Sequence, residues 1–244
     1  MCLLALLYRV VPDYPVVLGA NRDEFLDRPG RPPSQIAPGV WAGLDPTAGG
    51  TWLGVNDAGV LVALANVADG AGPPAGVRSR GLLCRDLLCA RAPAGELIGP
   101  LRDRVARHVY QPFNLLIADA ASAHRATWHA GALDVEPLSS GVHVVANMVP
   151  GQPDPKIVRA RSLLGEPAGI DEAIALLTAT CRDRGSTPGA ADAICVRRPD
   201  RGTLSSTIVA VHVAGLRRSR YLFADGPPDR TDYQDLSRLL GRGL

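Results

Sequence analysis

No run of like charge occurs anywhere in the 244 residues, and 26 Lys+Arg against 24 Asp+Glu leave a net charge of only +2. The concentrated basic charge on which nucleic-acid and membrane-surface binding depend is therefore missing. Most of the basic residues are arginine. No apolar stretch approaches the roughly 20 residues that span a bilayer, so no membrane insertion is expected. The opening, MCLLALLYRVVPDYP, is apolar, but it has no basic n-region, is broken by Tyr8 and Arg9 and leads to no small-residue cleavage site. That predicts no secretion signal and a cytoplasmic protein. Cysteine is sparse: five residues, odd in number and without a CxxC pair, which argues against a disulfide framework or a structural zinc site and fits a reducing compartment. The five histidines are scattered. His124 and His129 flank a short strand on opposite faces, so neither a metal site nor a resident cofactor is expected. GGTWLG lacks the lysine and the strand-to-helix setting of a phosphate-cradling loop; Gly49 and Gly50 instead predict a close approach beside Trp52.

What is present suffices for one large core, and a single domain over residues 1–244 is expected. Cys2 to Val11 and Val16 to Asn21 read as a hairpin turned by PDYP. DRPGRPP reads as an irregular loop, because proline has no N–H for a ladder. A second hairpin is expected from Thr51–Val55 and Val60–Asn66 around NDAG, followed by a loop at ADGAGPPAG. Helices are expected over Ser79–Arg91 and Ala94–Val109, where Leu82, Leu83, Leu87 and Leu88 fall at helical spacing. Strands follow at FNLLIAD, HRATWH and VHVVANM. Two further helices are expected over Pro155–Leu164 and Asp171–Thr180, the second capped by Asp171. AICVRR, LSSTIVAVHV and SRYLFADG read as the closing strands. Strands and helices in grouped blocks predict an α+β fold of mainly antiparallel sheets covered by helices.

The chemistry gathers at the front. Cys2 follows Met1, and a small residue there permits methionine removal, which leaves a thiol and a free α-amine on one residue. An amine with an ordinary pKa of about 7.7–8.0 can act as base for its own side chain. A buried cysteine in a strand is equally a small hydrophobe. One hairpin away, VVLGANRDEF runs from apolar residues into Asn21, Arg22, Asp23 and Glu24. On an extended chain Asn21 and Asp23 share one face, and Arg22 and Glu24 the other. A carboxylate such as Asp23 can orient the amine; the other reading is a salt-bridged strand exit.

MCLLALLYRVVPDYPVVLGANRDEF resembles the N-terminus of the NRDE, or transport-and-Golgi-organization, family. The resemblance continues through AGLDPTAGGTWLGVNDAGVLVALAN, GVHVVANMVPGQPDPKI and RGTLSSTIV. It implies the N-terminal-nucleophile hydrolase-like fold, a four-layer αββα sandwich, and a relationship to the choloylglycine and penicillin V acylases. Carried over, Cys2 takes the nucleophile position, Arg22 and Asp23 resemble the Arg and Asp that flank it, and Asn66 and Asn147 resemble the oxyanion asparagines. A strand-end asparagine also commonly makes a turn through its own side chain. Where the family often has Arg in its last block this chain has Leu204, with Arg201 nearby. Asn21, Trp52 and Arg201 are the expected substrate contacts. The resemblance implies an amidohydrolase acting on a small amide, or a non-catalytic carrier of haem, lipid or acyl-CoA on the same fold, with haem then a ligand.

Overall fold

The computed structural model describes residues 3–67, 76–187 and 189–241. Two antiparallel sheets lie face to face. The first holds, in spatial order, β10 (Gly141–Val145), β1 (Leu3–Val11), β2 (Tyr14–Phe25), β11 (Arg201–Val211), β12 (Arg220–Ala224) and β13 (Gln234–Asp235). The second runs β3 (Arg31–Ala37), β4 (Val40–Leu44), β5 (Leu53–Asn56), β6 (Leu61–Asn66), β7 (Phe113–Ala118), β8 (Ala123–His129) and β9 (Ala132–Pro137). Alternation along each strand sends one set of side chains between the sheets and the other outward. Leu4, Leu6, Leu18, Leu53, Leu61 and Leu116 fill the layer between the sheets. Leu3, Ala5 and Leu7 face the opposite way, toward α3 (Pro155–Leu163) and α4 (Ile170–Arg182). Val62, Leu64 and Leu115 meet α1 (Arg80–Ala90) and α2 (Ile98–Arg107) in the same manner on the second sheet. The result is the four-layer αββα sandwich.

The helix ends follow from their caps. Ser79 accepts the Gly81 N–H at the start of α1, and Asp154 accepts the Lys156 N–H ahead of Pro155 in α3, each satisfying a donor that a helix leaves open. Asp171 is not the cap of α4: Gly169 holds that position, and Asp171 lies in the first turn, where its charge still suits the helix dipole.

Three other strand assignments change. Arg31–Ala37 is a strand despite Pro32 and Pro33, because β3 is the edge of its sheet and one side of an edge needs no donors. AICVRR is not a strand, although Ala193, Ile194, Cys195 and Val196 are buried: the Ile194 and Cys195 N–H groups both go to the Asp183 carbonyl, and Val196 N–H goes to Thr203 Oγ1. β2 does not end at Asn21 but runs through to Phe25, paired with β11 along this stretch. The loop expected at ADGAGPPAG falls outside the described residues apart from Gly76.

Gly50 approaches α1 and not Trp52. A Cβ on Gly50 would lie 2.2 Å from the backbone carbon of Gly81, while Thr51 N–H donates to the Gly81 carbonyl at 3.0 Å. Gly50→Ala is therefore expected to lower stability by about 1–3 kcal/mol through backbone displacement. Gly81→Ala, whose Cβ meets Thr51 atoms at 3.2 Å, should cost less. Urea unfolding of both variants checks the ranking, and equal midpoints would show that the contact yields freely.

Candidate active site

The NRDE stretch lies inside β2, and its side chains alternate. Asn21 points to the helix layer, where its amide donates to the carbonyls of Cys181 at 2.9 Å and Ile194 at 3.1 Å. Its amide thus fixes the backbone of Cys181 near the end of α4 and of Ile194 in the segment before β11. Arg22 lies on the inter-sheet side, 4.6 Å from the Trp52 ring centroid, and donates to the Arg28 carbonyl at 3.1 Å. A stacked guanidinium of this kind is held in place by the ring quadrupole. Gly30 and Gly43 leave room for the ring: a Cβ on either would come within 2.8 Å of Trp52. The RPGRPP segment thus wraps the indole that supports Arg22.

Asp23 is on the helix side with Asn21, opposite Thr203 in the ladder. Its Oδ1 accepts from Thr203 Oγ1 at 2.6 Å and its Oδ2 from Lys156 Nζ at 3.3 Å. Thr203 in turn accepts the Val196 N–H at 2.9 Å. Asp23 and Lys156 are 4% and 5% exposed, so both charges are out of water. Burial raises the Asp23 carboxyl above its ordinary value; Lys156 is the largest influence pulling it back down, and the N-terminal charge and then the Thr203 hydroxyl act in the same direction.

Leu204, which stands where the resemblance leads one to expect arginine, is the extra residue of a β-bulge. Thr203 pairs with Asp23 and Ser205 with Arg22, which leaves Leu204 unmatched. Leu204 and Arg201 line a separate surface pocket of about 240 Å³, and Arg201 pairs with Asp200 and stacks on Phe25. Arg201 therefore does not join Asp23 or Trp52.

Asn66 closes β6 in the second sheet, and Asn147 follows β10 in the first. The two meet: Asn147 Nδ2 donates to the Asn66 carbonyl at 2.5 Å. An amide nitrogen carries two hydrogens, so one remains for another acceptor. Asn114, on β7, clamps the chain around Asn147 by donating to Ala146 O at 3.0 Å and Met148 O at 2.9 Å, and accepts from Thr127 Oγ1 at 2.8 Å.

These groups gather around the start of β1. Leu3 pairs with Asn21 and Leu4 with Val145, so the strand begins beside the residues that lead to Arg22 and Asn147. Cys2 precedes Leu3 by one peptide bond and lies outside the described residues. A cavity of about 210 Å³ opens here, lined among others by Arg22, Asp23, Trp52, Asn66 and Arg80. Of the expected residues, Arg22, Asp23, Trp52 and Asn66 share this cavity and Asn147 is bonded to its wall, whereas Asn21 and Arg201 stand apart.

Sequence reasoning missed Lys156 and Asn114. Asn114 sits unremarkably inside FNLLIAD. Lys156 had a signal in composition, since it is the one lysine among the 26 Lys and Arg residues.

Residues 1–215 match the family described as Transport and Golgi organisation 2. The Transport and Golgi organization protein 2 homolog of Bos taurus is 29% identical over 234 residues, covering 83% of this chain and 84% of its own. The Homo sapiens homolog is 27% identical over 240 residues, with the same coverage. Among solved structures, penicillin V acylase from Agrobacterium tumefaciens superposes with a TM-score of 0.60 at 14% identity, covering 100% of this chain and 89% of that one. The Caenorhabditis elegans N-acylethanolamine-hydrolyzing acid amidase ortholog gives 0.55 at 17% identity, covering 85% and 92%. At such identity the likeness shows the fold, which is that of the N-terminal-nucleophile hydrolases. With most of its length matched, the chain belongs to the Transport and Golgi organisation 2 family.

Proposed function

We propose that the protein is an N-terminal-cysteine amidohydrolase, which passes the acyl group of a small amide to Cys2 and then to water. The observation that supports this reading is the meeting of Asp23, Asn66 and Asn147, from both sheets, around the start of the strand that Cys2 precedes. The cavity of about 210 Å³ is below the usual range of about 300–1,000 Å³ for drug-sized ligands, which favours a small substrate.

After Met1 removal the α-amine of Cys2 takes the thiol proton, and Sγ bonds to the amide carbonyl carbon as the C=O π pair moves to oxygen. Asn147, steadied by Asn114, offers its second amide hydrogen to that oxyanion beside Asn66. The adduct collapses, the C–N bond breaks, and the amine leaves with the proton returned by the α-ammonium. Water then adds to the thioester, giving its proton to the α-amine, and the carboxylic acid departs as the thiol re-forms. Asp23 orients the amine throughout. Fold likeness raises the prior for this chemistry without assigning it.

The test is the N-terminus of the purified native protein, followed by reaction with an amide-mimicking, thiol-directed electrophile and peptide mapping. The expected result is a chain that begins at Cys2 and carries its label there. Cys84, Cys181 and Cys195 are buried and Cys89 is exposed, so Cys89→Ser removes the competing thiol. Retained Met1, or labelling that bypasses Cys2, would overturn the mechanism. A haem titration separates it from a carrier role: an unchanged Soret band is expected at micromolar protein.

A further inference from the structure

The chain uses arginine at 25 of its 26 basic positions, 26 less the single lysine, and keeps that lysine in a place where a cation is hard to hold. Lys156 lies in the first turn of α3, directly after Pro155, where the helix dipole opposes positive charge. It is also buried, with its Nζ 3.3 Å from Asp23 Oδ2, and desolvation of two charges commonly outweighs their attraction. Stability alone gives no reason for the pair, since two apolar side chains would fill the space at less cost. Chemistry does give one, because orienting an α-amine requires an ionised carboxylate and not a carboxylic acid.

We propose that Lys156 is a positioning residue of the active site: it supplies the buried positive charge that keeps Asp23 ionised and aimed. The inference rests on the N-terminal-nucleophile reading above. Lys156 acts through Asp23 and not on the substrate. The two oxygens of Asp23 are divided, with Lys156 on Oδ2 from α3 and Thr203 on Oδ1 from β11, which fixes both the charge and the plane of the carboxylate. An ammonium suits this place better than a guanidinium, being a compact point charge that meets one oxygen.

Among the groups near Asp23, Lys156 exerts the largest downward pull on its carboxyl pKa, with the N-terminal charge acting the same way. On β2 itself, Arg22 and Glu24 belong to the alternate face. From α4, Cys181 feels the Asp23 charge, and from the segment before β11, Cys195 contacts Thr203; burial pushes both thiols up to about 11, so they stay neutral through the working range. Asp154 caps α3 through the Lys156 backbone N–H, and Asp183 is occupied by Arg159. Burial alone would carry the Asp23 carboxyl upward, and Lys156 is the largest opposing influence.

The experiment compares the native chain with Lys156→Met, Lys156→Gln and Lys156→Arg, all in the Cys89→Ser background. Two quantities are followed against pH: the Asp23 carboxyl ¹³C shift, and the rate at which an activated acyl ester acylates Cys2. In Lys156→Met both the Asp23 midpoint and the acid limb of the rate profile should move up together by about one pH unit or more, and Lys156→Arg should return them toward the native values. Lys156→Gln keeps a donor for Oδ2 without the charge, so it serves if the methionine variant fails to fold, and it should also shift upward. A purely structural lysine would lower thermal stability in these variants and leave the pH of the limb unchanged. An unmoved Asp23 midpoint, or an unmoved limb over a reactive Cys2, overturns the inference alone. A native chain whose Cys2 does not react overturns the nucleophile reading and this role with it.

Discussion

Replacing the buried pair as a unit, Asp23→Leu with Lys156→Met, is expected to leave the chain as stable as the native protein or more stable by about 1–4 kcal/mol, with acyl transfer abolished. Asp23→Leu alone should instead cost about 3–5 kcal/mol, because it leaves the buried Lys156 ammonium without its carboxylate. Urea unfolding midpoints of the two variants decide the matter. A double variant as unstable as the single one would show that the pair holds the fold together. Asp23→Asn keeps an oxygen facing Lys156 and should cost less, with a pH dependence of definite sign. Burial raises the native Asp23 carboxyl above its unfolded value of about 3.9. The folded state therefore holds that proton more tightly, and the stability Asp23 contributes is full below the unfolded pKa and is lost as pH rises through the folded one. Asparagine does not titrate, so the gap between the native chain and Asp23→Asn should narrow as pH increases over that window. A constant gap would mean that Lys156 offsets burial completely.

Many strands and helices of this fold could be read from the sequence because hydrophobic alternation and helical spacing are local, whereas their stacking into four layers followed from the family resemblance. β1, β6, β7, α1 and α3 fall within a few residues of their expected limits for that reason. What failed depended on partners distant in sequence. Pro32 and Pro33 argue against a strand until Arg31–Ala37 is known to be an edge. Ile194, Cys195 and Val196 look like a strand, but their N–H groups are claimed by Asp183 and Thr203. β2 looked finished at Asn21 because polar residues normally mark an exit. It continues because the ladder to β11 reaches Phe25, and because Asn21, Arg22 and Asp23 each find a partner more than five residues away. The site follows the same division. Asp23, Asn66 and Asn147 stand in stretches that carry the family resemblance; Asn147 bonds to Asn66, and Asp23 and Asn66 line one cavity. Arg201 was chosen by nearness to Leu204 along the chain, and the bulge at Leu204 turns that part of β11 toward a different pocket. Lys156 had no local pattern, since PKI in a helix start reads as an exposed first turn. Only the fold brings it, across 133 residues, to Asp23.

Asn147→Ala is expected to slow acylation of Cys2 by an activated ester about 10²–10³-fold, the usual effect of losing one oxyanion donor. Alkylation of the same thiol by iodoacetamide should keep its native rate, because displacement at a saturated carbon develops no oxyanion. The contrast matters because Asn147 also has a structural bond, its Nδ2 to the Asn66 carbonyl, whose loss should cost on the order of 1 kcal/mol. Asn114→Ala supplies the comparison. It removes the two bonds that hold Ala146 and Met148 on either side of Asn147 and leaves the Asn147 amide itself in place. That variant should lose more stability than Asn147→Ala, since Thr127 Oγ1 also loses its acceptor, yet retain more ester reactivity. If the two variants instead lose ester and iodoacetamide reactivity in proportion to their stability, the Asn147 amide serves to join the sheets, and the oxyanion must be met by other donors. The geometry favours the first outcome. A bond to Asn66 uses one of the two amide hydrogens, and joining the sheets is already the work of Asn114.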